Sequence, residues 1–270
     1  MNRLLPFPAQ RIKQDKELTF SYRGLNLTGL EGDSVATALF ANGVRIFSRS
    51  FKYHRPRGLY SLDGESATCL LQIDHVPNVD AGMTLLRPGM IVEPQNVKGS
   101  PENDLWGFLD KLGWAFPPGF YYKKFHKPYR LWPFFQERIR KMAGLGKLDP
   151  QFRAGLYEAL YLNAEVAVIG GGPAGMSAAL AAAERGLRVV LLEARPWLGG
   201  FFDWRTSAYN GNHTLNARAA YLSQKIREHP NIRVFTSTPL TGFFLDNLLT
   251  AFQTGGSADP FAERHLEIRA

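Results

Sequence analysis

Three observations predict an α/β fold in two parts. First, alternating apolar residues run from Leu18 to Tyr22, break at Arg23-Gly24, and resume at Leu25–Thr28, with a helical stretch at Val35–Asn42. Second, the apolar run Val166–Ile169 leads straight into Gly170-Gly-Gly-Pro-Ala-Gly175 and an alanine-rich segment. Third, another apolar run, Arg188–Leu192, ends in Glu193. The first pattern is a β-hairpin feeding a helix, which with later strands reads as a β-grasp. The other two form a β-α-β unit with G-x-G-x-x-G at its first turn, the opening of a Rossmann-type dinucleotide-binding domain. A chain of 270 residues, 45% of them apolar, is long enough for two such domains.

The elements follow in order. Residues 1–16 read as an arm and residues 17–98 as the β-grasp domain. Asp33 or Ser34 is placed to cap the Val35 helix and Gly43 to end it. Val44–Phe47 and Cys69–Ile73 are strand candidates. Thr84–Leu86 and Met90–Val92 flank a Pro88-Gly89 turn. Residues 99–160 change character and read as an aromatic and basic connector. Trp106, Trp114 and Trp132 stand among Phe and Tyr, with helical stretches expected at Asn103–Leu112 and Trp132–Ala143. Tyr122–Lys147 holds eight basic residues and one acid. Such a mixture can bind nucleic acid. The favoured reading is a surface that lies against another protein, with no nucleic acid.

Residues 161–270 read as the first part of the dinucleotide-binding domain. Strands are expected at Val166–Ile169, Arg188–Leu192, Ile232–Thr236, Leu240–Leu245 and His265–Ile268. Helices are expected at Met176–Arg185 and Ala217–Arg227. A doubly wound sheet needs further parallel strands. The chain is therefore expected to be the front of a longer protein, or to be completed by another segment.

Each residue of the glycine turn has a physical task. Gly170 permits the turn out of the strand, Gly172 lets a pyrophosphate approach the backbone, and Gly175 lets helix and sheet pack closely. The helix N-terminus presents amides and a positive dipole end to phosphate. Glu193 can accept hydrogen bonds from an adenosine ribose and repels a 2′-phosphate. NAD or FAD is therefore expected in preference to NADP.

Charge and cysteine content narrow the class. The net charge is +8, and residues 1–160 carry 22 Lys+Arg against 15 Asp+Glu, the remainder 10 against 9. The single Cys69 cannot form an internal disulfide, a Cys-x-x-Cys redox pair or a four-cysteine metal site. No secretory signal is visible, Gly170–Pro173 argue against a membrane span, and the cytoplasm is the expected location. The histidines at 54, 75, 126, 213, 229 and 265 show no metal spacing. His54 lies beside Lys52, Arg55 and Arg57. A loop that docks a phosphate or partner carboxylates is the reading preferred there over a catalytic base.

Two blocks carry a family resemblance. Gly32-Asp-Ser-Val-Ala-Thr-Ala-Leu-Phe-Ala-Asn-Gly-Val44 leads into Ser48-Arg-Ser-Phe-Lys-Tyr-His-Arg-Pro-Arg-Gly58, and Pro117-Pro-Gly-Phe-Tyr-Tyr-Lys-Lys-Phe125 follows. These, with the Gly170 block, resemble the N-terminal part of the alpha subunit of heterotetrameric sarcosine oxidase and related amine and opine dehydrogenase subunits. The resemblance implies a 2Fe-2S ferredoxin-like β-grasp domain followed by a two-dinucleotide-binding flavoprotein fold. Relatives hold a [2Fe–2S] cluster on four thiolates. Arg45–Thr68 contains no cysteine, so no cluster is expected.

The resemblance further implies a multi-subunit flavoenzyme that oxidises a secondary N-methyl amine to an imine. A beta subunit with smaller subunits would carry FAD and FMN, and the alpha subunit a structural NAD. One-carbon transfer to tetrahydrofolate would use a region absent here. Carried over by position, Gly170, Gly172, Ala174 and Gly175 would form the pyrophosphate turn and Glu193 the ribose acid. Ala194 and Arg195 would follow it. Phe201 would lie where a loop nears the pyrophosphate, and Leu240, at the end of the third strand, would read the adenine edge through its backbone. No residue of this chain is expected to be catalytic or to bind metal, and the chain by itself is expected to be inactive. The alternatives are a self-contained FAD-dependent NAD(P)H oxidoreductase of the disulfide-reductase-like fold, and a non-catalytic assembly module.

Overall fold

The computed structural model describes residues 3–4, 10, 12, 14–61, 66, 68–115, 119, 127–142, 144, 146, 148–151, 155–209, 213–256 and 259–270. The Pro117–Phe125 block lies outside them apart from Gly119. The chain forms two units, with the main division between residues 152 and 153.

The first unit is built on the hairpin. β1 (Glu17–Tyr22) and β2 (Leu25–Leu30) pair antiparallel from Glu17↔Leu30 to Tyr22↔Leu25. After the helix Val35–Ala41, the two-residue strands β3 (Ser48–Arg49) and β4 (Pro56–Arg57) pair with each other. β5 (Leu70–Ile73), β6 (Val76–Asp80) and β7 (Ile91–Pro94) complete a mixed sheet of order β2-β1-β7-β5-β6, with β7 parallel to β1. This is the expected β-grasp. Alternation places Phe20 and Tyr22 on the core face, where they meet Ala38, Leu39, Leu71 and Val92. Burying a side chain such as Phe20 or Leu39 stabilises by about 1.5–3 kcal/mol.

The helix cap is Ser34, whose Oγ accepts from Thr37 N at 3.2 Å. Asp33 has another task. It is fully buried, accepts from Leu30 N at 2.8 Å, and takes both guanidinium arms of Arg3.

Several expected elements differ. Val44–Phe47 is not a strand, because Phe47 turns wholly into the core and its amide binds Arg57 O at 2.7 Å. Thr84–Leu86 contributes only an isolated bridge, Ser34↔Leu85. The Asn103–Leu112 helix is instead a 3-10 segment at Gly107–Ala115, since Asp104 is held in an isolated bridge to Gly99. The Trp132–Met142 helix forms as expected, and Ala143 lies outside the described residues.

Among its described residues the second unit has two larger sheets and one two-stranded pair. β9 (Val166–Ile169), β10 (Val189–Leu192) and β13 (Ile232–Phe235) are parallel, in the order β13-β10-β9. Two further two-residue strands, β11 (Ala208–Tyr209) and β12 (His213–Thr214), pair beside them in sequence. β8 (Tyr157–Asn163), β14 (Leu240–Phe244), β15 (Leu248–Thr254) and β16 (Glu263–Arg269) form a second sheet, β14-β15-β16-β8. β8 and β15 are not legible in the sequence.

Burial explains why β10 reads as an unbroken apolar run. Val189 and Leu191 meet the helices Pro173–Ala183 and Leu215–Glu228 through Met176, Ala179, Leu222 and Ile226. Val190 and Leu192 face the other way, onto Leu249, Ala251, Leu266 and Ile268. A parallel strand covered on both faces has no polar side to show. Among the described residues, no helix is long and apolar enough to cross a membrane.

Candidate dinucleotide site

The site begins where β9 ends. Gly170 adopts φ +99°, where a Cβ is disfavoured, and its amide donates to Leu192 O at 2.8 Å. Gly172 is the N-cap of the Pro173–Ala183 helix, and Pro173 occupies the first turn, where its missing N–H costs nothing. Met176 N gives the first helical bond, to Gly172 O at 2.8 Å. The amides of Gly172, Ala174 and Gly175 donate to no acceptor among the described residues. These are the orphan donors of a helix N-terminus, and they suit an anion.

The glycines divide the work as the spacing predicts. A Cβ on Gly175 would lie 1.9 Å from Gly170 O, so only glycine lets helix and turn meet. A Cβ on Gly172 would meet nothing within 4 Å, at an ordinary φ of −74°. The space over Gly172 is therefore open on the side where a phosphate would approach.

Glu193 stitches the strand tips together. Its backbone N donates to Phe235 O at 2.9 Å, and its O accepts from Thr238 N at 2.8 Å. Its carboxylate accepts from Gly171 N at 2.6 Å and from Arg195 N at 2.8 Å. The acid thus orients the glycine turn, and each oxygen keeps a lone pair for a ribose hydroxyl. Ala194 and Arg195 lie half-buried beside it, and Arg195 O accepts from Ser237 N at 2.9 Å.

Leu240 is not at the end of the third strand. That strand stops at Phe235, because Thr236–Pro239 folds back over Glu193, and Leu240 opens β14 of the other sheet. Ser237, at φ +52°, and the buried Thr238 take the position beside the acid. The short Thr-rich turn after Thr236 was the only sequence signal for them.

A second glycine pair joins the first. Gly199 N donates to Gly171 O at 2.8 Å, and a Cβ on Gly200 would come within 2.9 Å of Gly172 Cα. Both glycines have positive φ, +129° and +51°. Phe201 follows at once, half-exposed, and packs edge-on to Trp204 with ring centroids 5.3 Å apart.

The loop expected to bind metal in ferredoxin-like relatives is closed by other means. His54, at φ +52° and buried, sets Nδ1 2.6 Å from Asp104 Oδ2, while Asp104 Oδ1 accepts from Lys98 N at 2.7 Å. Arg49 donates to the carbonyls of Pro101, His54 and Glu102, and Arg55 to Asp110. Cys69 is buried against Ser66 Oγ at 3.1 Å, and burial pushes its thiol up, away from the thiolate a metal needs. One cysteine does not supply the four thiolates that hold a [2Fe–2S] cluster.

Comparison with known proteins places these observations. Residues 15–97 match the 2Fe-2S iron-sulfur cluster binding domain family, and residues 165–228 match the FAD dependent oxidoreductase family. Sarcosine oxidase subunit alpha of Rhizobium meliloti is 33% identical over 247 residues, 90% of this chain and 25% of that subunit. The subunit of the same name from a Corynebacterium is 27% identical over 70% of this chain and 16% of its own length. The crystal structure of L-proline dehydrogenase from P. horikoshii shares the fold with a TM-score of 0.58, at 23% identity, over 99% of this chain and 41% of that one. Over most of its own length, then, this two-part α/β chain is homologous to sarcosine oxidase subunit alpha, of which it spans about a quarter or less.

Proposed function

We propose that Gly170–Gly175, Glu193–Arg195 and the Gly199–Phe201 loop hold an adenine dinucleotide that lacks a 2′-phosphate. The observation that carries this reading is the open space over Gly172, lined by amides without acceptors and joined through Gly171 to the Glu193 carboxylate. Gly172, Ala174 and Gly175 would bind the pyrophosphate, and Glu193 the ribose. The match to the FAD dependent oxidoreductase family supports FAD. NAD, the reading from the sequence, finds no support in the comparisons and stands as the second candidate because the acid treats both adenosines alike. FAD would supply redox chemistry when bound, whereas NAD in this role would be structural.

The larger reading is that this chain serves a multi-subunit flavoenzyme oxidising a secondary N-methyl amine, sarcosine or a relative, to an imine in the cytoplasm. It draws on the homologues' name. A beta subunit with FAD and FMN would carry out the oxidation, smaller subunits would complete the assembly, and one-carbon transfer to tetrahydrofolate would need further polypeptide. The connector supports a docking role in this reading, since Phe108 and Trp114 stand exposed near the Arg55–Asp110 pair. The chain by itself is proposed to be inactive and without an iron–sulfur cluster.

Mass spectrometry and absorbance of ligand released from purified protein test the site. FAD gives a yellow extract and NAD a colourless one. A protein that neither carries nor binds any adenine dinucleotide sinks the reading. Co-expression with a sarcosine-oxidase-like beta subunit tests the assembly, which fails if the two never co-purify.

A further inference from the structure

We infer that Arg205 is the cation that neutralises the dinucleotide's pyrophosphate, an inference that rests on the dinucleotide reading above. The argument starts from charge. A pyrophosphate brings two negative charges to a turn that already holds the Glu193 carboxylate on Gly171 N. Against these, the helix N-terminus offers a partial charge of only roughly +0.5. A cation nearby would offset the remaining charge.

Arg205 meets that need. It sits on the loop whose glycines are stitched to the turn, Gly199 to Gly171 and Gly200 against Gly172. Its guanidinium lies over Phe201, 4.2 Å from the ring centroid, and over Trp204 at 4.9 Å. Its backbone O accepts from Asn216 N at 2.9 Å, which ties the residue to the start of the Leu215–Glu228 helix. The side chain forms no hydrogen bond or ion pair among the described residues, and its Nε is buried without a partner.

Among the described residues its Nε is one of two side-chain polar atoms buried without a partner, Tyr22 Oη being the other. Of the other charged groups in the region, Arg195 is already engaged, and Asp203 is engaged and turned toward Gly199. A guanidinium in contact with two rings is partly positioned before any anion arrives. Its outer N–H groups remain as a ready fork for phosphate oxygens. The ring contacts and the unspent outer N–H groups thus have one common explanation, a ligand that this arginine completes.

The test compares wild type with Arg205→Met and Arg205→Lys by calorimetric titration with ADP, adenosine, NAD and FAD, with circular dichroism to follow folding. Arg205→Met is expected to bind ADP and NAD about tenfold more weakly, the lower end of a charge-assisted contact. Adenosine, which lacks phosphate, is expected to bind all three proteins alike, and Arg205→Lys to fall between the other two. Equal ADP affinity in wild type and Arg205→Met overturns the inference, as does an equal loss for adenosine and ADP. A loss for NAD with ADP unchanged overturns it too, since it moves the arginine to the other half of the ligand. If Arg205→Met does not fold, the ratio of ADP to adenosine affinity in Arg205→Lys decides, and an unchanged ratio counts against the inference. If wild type binds none of ADP, NAD and FAD, the dinucleotide reading falls and this inference with it.

Discussion

The loop around His54 and the turn at Gly170 are both places where a cofactor would be sought, and they are built in opposite ways. Around His54 several side chains are spent on partners inside the protein. His54 is paired with Asp104, Asp104 also holds Lys98 N, and Arg49 ties down three carbonyls. In the second unit the amides of Gly172, Ala174 and Gly175 are left unspent and the space over Gly172 is open. Buried polar groups are nearly always satisfied. The open donors at the helix N-terminus leave room for an anion, while the paired groups around His54 join distant parts of the chain.

The sharpest way to break this comparison is at the two glycines of the turn. A Cβ at Gly172 meets nothing within 4 Å, so Gly172→Val is expected to cost only about 1 kcal/mol of stability, the scale for losing a favoured N-cap residue. The branched side chain fills the phosphate space, and dinucleotide affinity is expected to fall by more than about 3 kcal/mol, over a hundredfold. Gly175→Ala is expected to do the reverse first, costing about 3 kcal/mol of stability because its Cβ meets Gly170 O. Calorimetry and denaturant melts of both variants check this. Equal behaviour of the two would erase the distinction.

The closed loop should respond in stability alone. Asp104→Ala leaves His54 and Lys98 N without their buried acceptor, at a cost of about 2–3 kcal/mol. Dinucleotide content is expected to stay at the wild-type level. A melt unchanged from wild type would show that the joint is not structural.

Glu193→Ala probes the open site from its acidic side. Loss of the carboxylate is expected to weaken the dinucleotide by about 1–3 kcal/mol. Part of that comes through Gly171, whose amide loses its acceptor. The affinity ratio of NAD to NADP should shift toward NADP, because the charge that repels a 2′-phosphate is gone. An unchanged ratio in titration calorimetry argues against a ribose role.

The smallest expected effect is in the core of the first unit. Tyr22 Oη is buried without a partner, and burial pushes the phenol up to about 12. The neutral phenol is the form the fold tolerates. Its stability contribution is complete below the ordinary tyrosine value near 10 and is lost as pH rises through about 12. Tyr22→Phe removes an orphaned hydroxyl and is expected to stabilise by up to about 1 kcal/mol. The alkaline loss of stability between roughly pH 10 and 12 should shrink with it. Denaturant melts at neutral and alkaline pH read both effects, and a destabilised variant would mean that Oη has a partner in solution.

How much could be read beforehand followed the range of the interactions involved. The β1–β2 hairpin, the capped Val35 helix and the β-α-β unit around Gly170 depend on neighbours a few residues apart, so spacing alone placed them. Glu193 was legible for the same reason, as the tip of the next strand. The pairing of His54 with Asp104, fifty positions away, left no local pattern. Neither did β8, whose strand neighbour among the described residues, β16, lies at the far end of the unit. Leu240 was misplaced because a strand's last residue is set by what folds over it, and Thr236–Pro239 closes on Glu193 through bonds that no periodicity encodes. Arg205 was one basic residue among many until the fold laid it over Phe201 and Trp204 with no acid to meet among the described residues. Backbone geometry at glycine and proline is a property of the local chain and shows in the order of residues. Which donors remain unsatisfied is a property of the packed whole.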